Sequence, residues 1–430
     1  MSAVVVFIIF AICLVIAIPI SISLGIVAVL PGAFDASFTA SAGYVIRSMV
    51  GGIDSFPLLA VAMFVLAGIL MAHGKISEKL FDVFVYFLGN KRAGIPCAVI
   101  ITCLFYGAIS GSAPATVAAV GSMTIPLLIE LGYEKDFSTA IVAVAGGLGV
   151  IIPPSIPFIM YAMATGESVS DLFLAGIVPG MMISALLIFY AYYYCRRHGE
   201  DREKIQAKMG QLKAKGFFNI LKESIWALLS PVIVLGCIYT GVASPTEAAV
   251  ISVFYSLFVS LFIYRSIKVK QIWGIMVEAK KTYAPILFIL ATSTAFSRVL
   301  TLMQVPQDVS AWIMTHFSNE IVLLLVINVV LLIVGMVMDT TPAILILSPI
   351  LLPIVEHVGM NPIHFGVMVI VNLAVGFVTP PVGVNLFVAS SLTNVPMMQI
   401  AKKAMPMIGY FMLALLLITF IPAISLCLLS

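Results

Sequence analysis

The sequence predicts an all-α polytopic membrane protein made of two inverted-topology repeats, each with a re-entrant helical hairpin and a broken helix. Three observations predict it. Apolar stretches of membrane-spanning length recur along the chain, one half echoes the other at a near-constant offset, and basic residues gather in a few short segments. Of the 430 residues, 62% are hydrophobic and 10% charged, against about half and about a quarter in soluble domains. A hydrocarbon core about 30 Å thick takes about 20 apolar residues per helix, and no long polar domain interrupts such stretches. Function is expected in or at the lipid bilayer.

The offset comes from self-comparison. Gly149-Val-Ile-Ile-Pro153-Pro154 returns as Gly376-Phe-Val-Thr-Pro380-Pro381, a shift of 380 − 153 = 227. The same register sets Pro126 on Pro353, Gly132 on Gly359 and Pro179 on Pro406. One residue of slippage sets Pro57 on Pro285, Gly107 on Gly335 and Pro114 on Pro342, and Pro19 falls opposite Pro245. Between the halves, residues 196–216 carry Arg196, Arg197, Arg202, Lys204, Lys208, Lys213 and Lys215; the positive-inside rule makes this stretch cytoplasmic. Lys91 and Arg92, and Arg265, Lys268 and Lys270, fall on the same side by count. The first repeat (1–195) therefore begins outside and the second (222–430) begins inside, with a cytoplasmic basic linker at 196–221. Both termini are expected in the periplasm, and equivalent segments cross in opposite directions.

In chain order, the opening MSAVVVFIIF lacks the basic region and cleavage site of a signal peptide, so 2–17 is expected to stay as the first helix. Amphipathic arms at 76–89 and 306–318 precede the hairpins and suit the membrane interface. Segments 94–107 and 115–130 flank the tip 107–114; at 1.5 Å per residue each arm is about 20–24 Å long, too short to cross. The hairpin at 94–130 has its partner at 321–355, with a tip at Asp339-Thr-Thr-Pro342. Broken helices follow at 137–165 and 363–392, because two consecutive prolines remove two helical donors and clash with the preceding turn. Further helices are read at 172–195, 222–243, 246–264 and 283–301. Ser244-Pro-Thr-Glu247 has capping-box spacing at the start of helix 246–264.

Broken backbone at membrane depth persists only where protein or a watery cavity satisfies the freed carbonyls. A cation suits such oxygens, and paired breaks in opposed repeats point to a binding site. Ser110, Ser112 and Thr116 around the first tip and Asp339, Thr340 and Thr341 at the second add side-chain oxygens. Thr341-Pro342 also reads as a helix N-cap followed by proline. Asp339 stands out as an acid within an apolar stretch, a costly placement that favours an ion role. Helix N-termini at the tips suit an anionic solute. Thr379 and Asn385 flank the second break, and Arg298 is a candidate anion partner or a side chain reaching the periplasmic edge. Arg47 is open to solute contact or an ion pair with Asp54. Six cysteines stand singly in apolar runs, as small hydrophobes do. His73, His198, His316, His357 and His364 lack metal-ligand spacing, and no Ser-His-Asp set, Walker loop or dinucleotide fingerprint occurs. The mixed charges of 196–206 read as a solvated linker. Neither enzyme activity nor a nucleic-acid partner is expected.

Phe56-Pro-Leu-Leu-Ala60, Gly111-Ser-Ala-Pro-Ala-Thr116, Gly149-Val-Ile-Ile-Pro-Pro-Ser155, Ser244-Pro-Thr-Glu-Ala-Ala249 and Thr379-Pro-Pro-Val-Gly383 resemble the large membrane subunit of TRAP transporters, in order and over essentially the whole chain. Ala62 and Ala113 depart from the proline and glycine often found there. The resemblance implies a sodium-coupled elevator transporter of a bacterial inner membrane. Its partners would be a small four-helix membrane subunit and a periplasmic substrate-binding protein. The solute would be a small carboxylate, sialic acid being favoured over four-carbon dicarboxylates. It implies two or more Na⁺ sites and no organic cofactor. One site is expected at Ser110, Gly111, Ser112 and Thr116 with Gly149, Ile152 and Pro153. The other is expected at Asp339, Thr340 and Thr341 with Gly376, Thr379 and Pro380. Ser155, Arg298, Asn385 and Arg47 are the candidate solute contacts. The alternative is a stand-alone divalent-anion/sodium symporter that needs no binding protein.

Overall fold

A computed structural model describes residues 3–35, 38–214, 216–316 and 319–429, and every regular element among them is helical. Lys215 and the end of the second arm, 317–318, lie outside the described residues. Apolar runs too long for strands leave the helix as the element that satisfies its own backbone in lipid, and eight of the helices are long and apolar enough to cross a bilayer.

An outer frame comes first. It holds α1 (Ala3–Val15), α2 (Ile20–Phe34), α3 (Ala42–Ile53) and α4 (Pro57–His73). Ser41 caps α3 by accepting from the Tyr44 N–H, and Pro57 opens α4 where the chain bends by 57°. The arm α5 (Ile76–Leu88) leads into the first hairpin, α6 (Gly94–Ser110) and α7 (Ala113–Glu130). The first broken helix is α8 (Lys135–Ala145), a 3₁₀ turn Gly146–Val150, a cis Pro153–Pro154 bond and α9 (Ile156–Thr165). Next, α10 (Val169–His198) runs to the linker.

The second half repeats the order. After the linker helix α11 (Arg202–Ala214) come α12 (Phe217–Tyr239) and α13 (Pro245–Phe258), which ends in a π turn Val259–Ile263. The continuous α14 (Val269–Leu302) precedes the arm α15 (Val305–His316), then the hairpin α16 (Glu320–Val337) and α17 (Thr340–His357). The second broken helix is α18 (Pro362–Gly376), a cis Pro380–Pro381 bond and α19 (Val384–Thr393), followed by α20 (Met397–Phe420) and the short α21 (Ala423–Leu426). Helix starts at Ala113 and Thr340, and at Lys135 and Pro362, are each 227 apart. The largest core joins the two hairpins, the two broken helices, α10 and α20 and reaches into α4, α5 and α13, while α1, α2 and the C-terminal half of α14 hold a second apolar cluster that takes in Ile346 and Ile350 of α17.

Several local expectations need correcting. The hairpin arms are not too short to cross: α6 holds 17 residues and α7, α16 and α17 hold 18 each, and the last three are among the eight helices long and apolar enough to span. The chain turns in two residues at each tip and leaves the rest helical. The cap of α17 is Asp339, not Thr341: its carboxylate accepts from the Thr340 N–H, because the extended backbone lies at Asp339 (φ −67°, ψ 158°). The linker is not simply solvated. Ile205 and Met209 are buried against the rest of the chain, and the Glu200 side chain is only 2% exposed. The helix expected at 283–301 starts earlier, α14 beginning at Val269, so that Lys280 and Lys281 lie within it, exposed on its surface. The Ser244–Glu247 capping box is present as expected.

Candidate ion and solute site

At the first tip the chain reverses through Gly111 at φ +59°, where a Cβ would also lie 3.0 Å from the Pro154 carbonyl oxygen. Glycine answers both demands. Ser110 and Thr116 are buried, and their hydroxyls share a hydrogen bond of 3.0 Å. Thr116 donates to the Ser112 carbonyl at 2.8 Å, leaving Ser110 to donate to Thr116, with its oxygen 3.3 Å from the same carbonyl. Ser112 occupies the cap position of α7, yet its side chain accepts no capping bond. The break of the first long helix lies over this cluster of oxygens. A Cβ built on Gly149 would stand 2.4 Å from Thr116 Oγ1 and 2.8 Å from the Ser112 carbonyl oxygen. The Ile156 N–H donates to the Gly111 carbonyl at 3.2 Å, tying the far side of the break to the tip. Pro153 and Pro154 have no N–H to offer Gly149 and Val150. The Ser155 hydroxyl takes the Val150 carbonyl at 2.6 Å, so Ser155 closes the break from within and is fully buried. Ile152 and Pro153 are buried beside it.

The second tip has a related but more open form. Asp339 is exposed at its apex, with Thr340 and Thr341 buried behind it. The first arm again touches the break backbone to backbone: a Cβ on Gly376 would lie 2.4–2.7 Å from Gly335 main-chain atoms. Gly107 stands in the same relation to Gly149, at 2.6 Å. Thr379 donates its hydroxyl to the Val375 carbonyl at 2.7 Å and its N–H to Gly376 at 3.1 Å. The Val382 N–H reaches the Met336 carbonyl at 3.2 Å, tying break to tip. Thr379 and Pro380 are half-buried, whereas the whole of 146–156 is buried. Either tip therefore gathers hydroxyl and main-chain oxygens of the kind a hard cation takes, and the second adds a carboxylate. Among the described residues no group of three His, Cys, Asp or Glu side chains forms a metal cluster.

Two cavities flank this body. One, of about 630 Å³, runs from Ser110, Ser112 and Pro114 at the first tip, along α4 and α14, to His73, Lys75 and Glu278. His73 and Glu278 meet there at 2.9 Å. The other, of about 600 Å³, is lined by Asp54, Ser55, Glu167, Thr294, Ser297 and Arg298, among others. Arg298 thus has a cavity to serve. Arg47 is exposed and lines neither cavity, and no ion pair joins it to Asp54 among the described residues. Asn385 is fully buried and bonded to Ala143.

Other polar groups carry no one-dimensional signal beyond being polar in an apolar run. Asn372 Nδ2 donates to both the main-chain and side-chain oxygens of Asn328 at 2.9 Å, and Asn328 Nδ2 reaches Thr419 Oγ1 at 3.3 Å. At the linker end, Glu200 accepts from the Ala93 N–H at 3.0 Å, the Tyr133 hydroxyl at 2.6 Å and Arg202 at 3.2 Å. Glu134, in the turn before α8, accepts from Lys403 at 2.5 Å and Tyr194 at 2.8 Å. The Lys403 bond, with help from Tyr194 and against a smaller opposing effect of burial, holds the Glu134 carboxyl below the ordinary carboxylate range.

Comparison with known proteins agrees with this architecture. Two solved transporters share the fold at 14% identity. They are the YdaH transporter of Alcanivorax borkumensis, described as having an unusual topology (TM-score 0.62, covering 93% of this chain and 96% of that one), and MtrF of Neisseria gonorrhoeae (TM-score 0.64, 93% of each). The isethionate TRAP transporter permease protein DctMQ of Oleidesulfovibrio alaskensis is 43% identical over 96% of this chain, which spans 64% of that relative's length. The C4-dicarboxylate TRAP transporter large permease protein DctM of Pseudomonas aeruginosa is 39% identical over 87% of this chain and 86% of its own. The 2,3-diketo-L-gulonate large permease YiaN of Escherichia coli is 35% identical over 87% of each. The model of the tripartite ATP-independent periplasmic transporter DctM component matches residues 7–424. With eight helices fit to span a bilayer and that match over nearly its whole length, the chain belongs to the DctM family of multi-pass TRAP transporter permeases.

Proposed function

We propose that the chain is the large membrane component of a sodium-coupled importer of a small organic anion in a bacterial inner membrane. The observation that carries this reading is the docking of each hairpin tip on the proline-broken backbone of a long helix, with hydroxyl and carbonyl oxygens facing one another. Sodium binds at the two tips and closes a solute site between them. Its release lowers solute affinity, and by linkage the solute raises sodium affinity by the same factor. The hairpin body moves against the frame as an elevator. The cavity beside the first tip ends at His73, Lys75 and Glu278, on the side of the basic linker, so this form faces inward. The termini then lie in the periplasm, and the halves are inverted repeats about the two breaks.

The names of relatives span a sulfonate, four-carbon dicarboxylates and a diketo sugar acid, so the solute class is small and anionic. Sialic acid, favoured from overall similarity, belongs in the test. A four-helix membrane subunit and a periplasmic binding protein complete the system. The experiment is uptake into proteoliposomes containing the chain, that subunit and the binding protein, with labelled sialic acid, succinate and isethionate. Uptake of one of these only with sodium outside is expected, with weakened sodium dependence after Ser112→Ala or Asp339→Ala. Uptake indifferent to sodium, or unchanged sodium dependence in both variants, would refute the reading. Uptake by the chain alone would instead favour the stand-alone symporter.

A further inference from the structure

We infer that Asn385 is a positioning residue that joins the two broken helices, so that cation binding at one break is felt at the other. The inference rests on the functional reading above and assigns Asn385 a different part from solute contact. Its side chain is fully buried in this form. Nδ2 donates to the Ala143 carbonyl of α8 at 3.0 Å, a contact 242 residues away in sequence. Its N–H donates to the Phe377 carbonyl at 3.0 Å, the oxygen whose helical donor Pro381 removed. One residue therefore holds the second break through its main chain and the first broken helix through its side chain.

The rest of the amide sharpens the point. Oδ1 is buried and meets no donor, a costly state for an amide oxygen that packing alone does not call for. The residue 227 earlier is Phe158, which is buried with no polar group to satisfy. Held by its donor end only, the amide can follow a shift of the second break without stranding another partner. Among the described residues the other side-chain hydrogen bond between these two helices, from the Tyr161 hydroxyl to the Pro362 carbonyl at 2.7 Å, sits at the end of α9 and the start of α18, away from both breaks.

The test measures uptake against sodium concentration in the assembled transporter, for the unaltered chain, Asn385→Ala, Asn385→Ser and Tyr161→Phe, with a thermal midpoint for each. A sigmoidal sodium curve is expected for the unaltered chain. In both Asn385 variants the Hill coefficient falls to about 1 and half-saturating sodium rises about 5-fold or more, while Tyr161→Phe lowers the midpoint and keeps the sigmoid. An unaltered chain with a hyperbolic sodium curve, Asn385 variants that stay sigmoidal, or a Tyr161→Phe curve that flattens equally would each overturn the inference. If neither Asn385 variant folds, the residue serves folding and the inference also fails. Sodium-independent uptake by the unaltered chain sinks the functional reading beneath it.

Discussion

Gly376→Ala puts a methyl where the structure leaves no room. Its Cβ would lie 2.4 Å from the Gly335 carbonyl carbon, 2.5 Å from its oxygen and 2.7 Å from its Cα. Carbon atoms attract best at about 3.5–4.0 Å and repel steeply inside that, so α16 must withdraw from α18 by about 1 Å. The obstacle is backbone on a packed helix, and no side chain can swing aside. Overpacking of this kind costs about 1–3 kcal/mol. Gly409→Ala supplies the control, because nothing lies within 4 Å of its Cβ in the interior of α20. There alanine should stabilise, by about 0.5–1 kcal/mol. The assay is thermal unfolding of the purified chain in detergent, followed by tryptophan emission, with sodium added or withheld. Gly376→Ala should lower the midpoint, Gly409→Ala raise it, and only Gly376→Ala should diminish any shift that sodium produces. Equal midpoints in the two variants would refute the claim that the hairpin arm and the break meet through paired glycines.

Glu134→Gln or Lys403→Met should flatten the acid limb of the stability profile. The folded pKa of Glu134 is lowered, so its contribution is complete above the unfolded carboxylate range and disappears as pH falls through the folded value; midpoints measured from pH 7 to pH 3 check this. Glu200→Ala removes a buried carboxylate with three partners, each such bond worth about 1.5–3 kcal/mol. Limited proteolysis should then cut the linker faster, and unchanged cutting would show that Glu200 holds nothing in place. Asn328→Ala strips one of the two acceptors of the buried Asn372 amide, the main-chain one remaining, and should cost about 1–3 kcal/mol, read as a lowered midpoint. Arg298→Ala should raise the half-saturating solute concentration several-fold if the cavity it lines takes anions, whereas Arg47→Ala, outside both cavities, should not.

Features that depend on a residue's own backbone chemistry were legible in one dimension. Proline pairs break helices wherever they stand, and Ser244 and Glu247 carry a cap at fixed spacing. Features that depend on a partner across space were not. Gly107 and Gly149 are ordinary glycines until the fold brings one against the other at 2.6 Å. Glu200 sits in a charged run that looks solvated, and its burial comes from meeting the Ala93 N–H and Tyr133. Asp339 was found for its cost in lipid, yet it caps α17 and is exposed at the apex, so acid in an apolar run marked the place without marking the environment. The cap shifted from Thr341 because several residues there can accept the bond, and only the turn in the backbone decides among them.

The two halves share a backbone plan but not a polarity. In the repeat register Asn372 and Asn385 of the second half fall on Ala145 and Phe158 of the first, and Asn328, in the arm that slips by one, falls on Ile100. An apolar set fills the same frame in the first half, so the asparagines are not demanded by the helices themselves. Asn328 and Asn372 pin α16 to α18 through an amide pair, and Asn385 pins α19 to α8. Each of these bonds has one geometry, whereas apolar packing against α18 tolerates many with little loss. Buried amides in register of this kind trade stability for a single arrangement. The second tip is also the more open one, with Asp339 exposed and Thr379 half-buried, and has less burial to define it than the first. Buried amide pins stand in the half where packing alone would leave the hairpin and the break freer to slip.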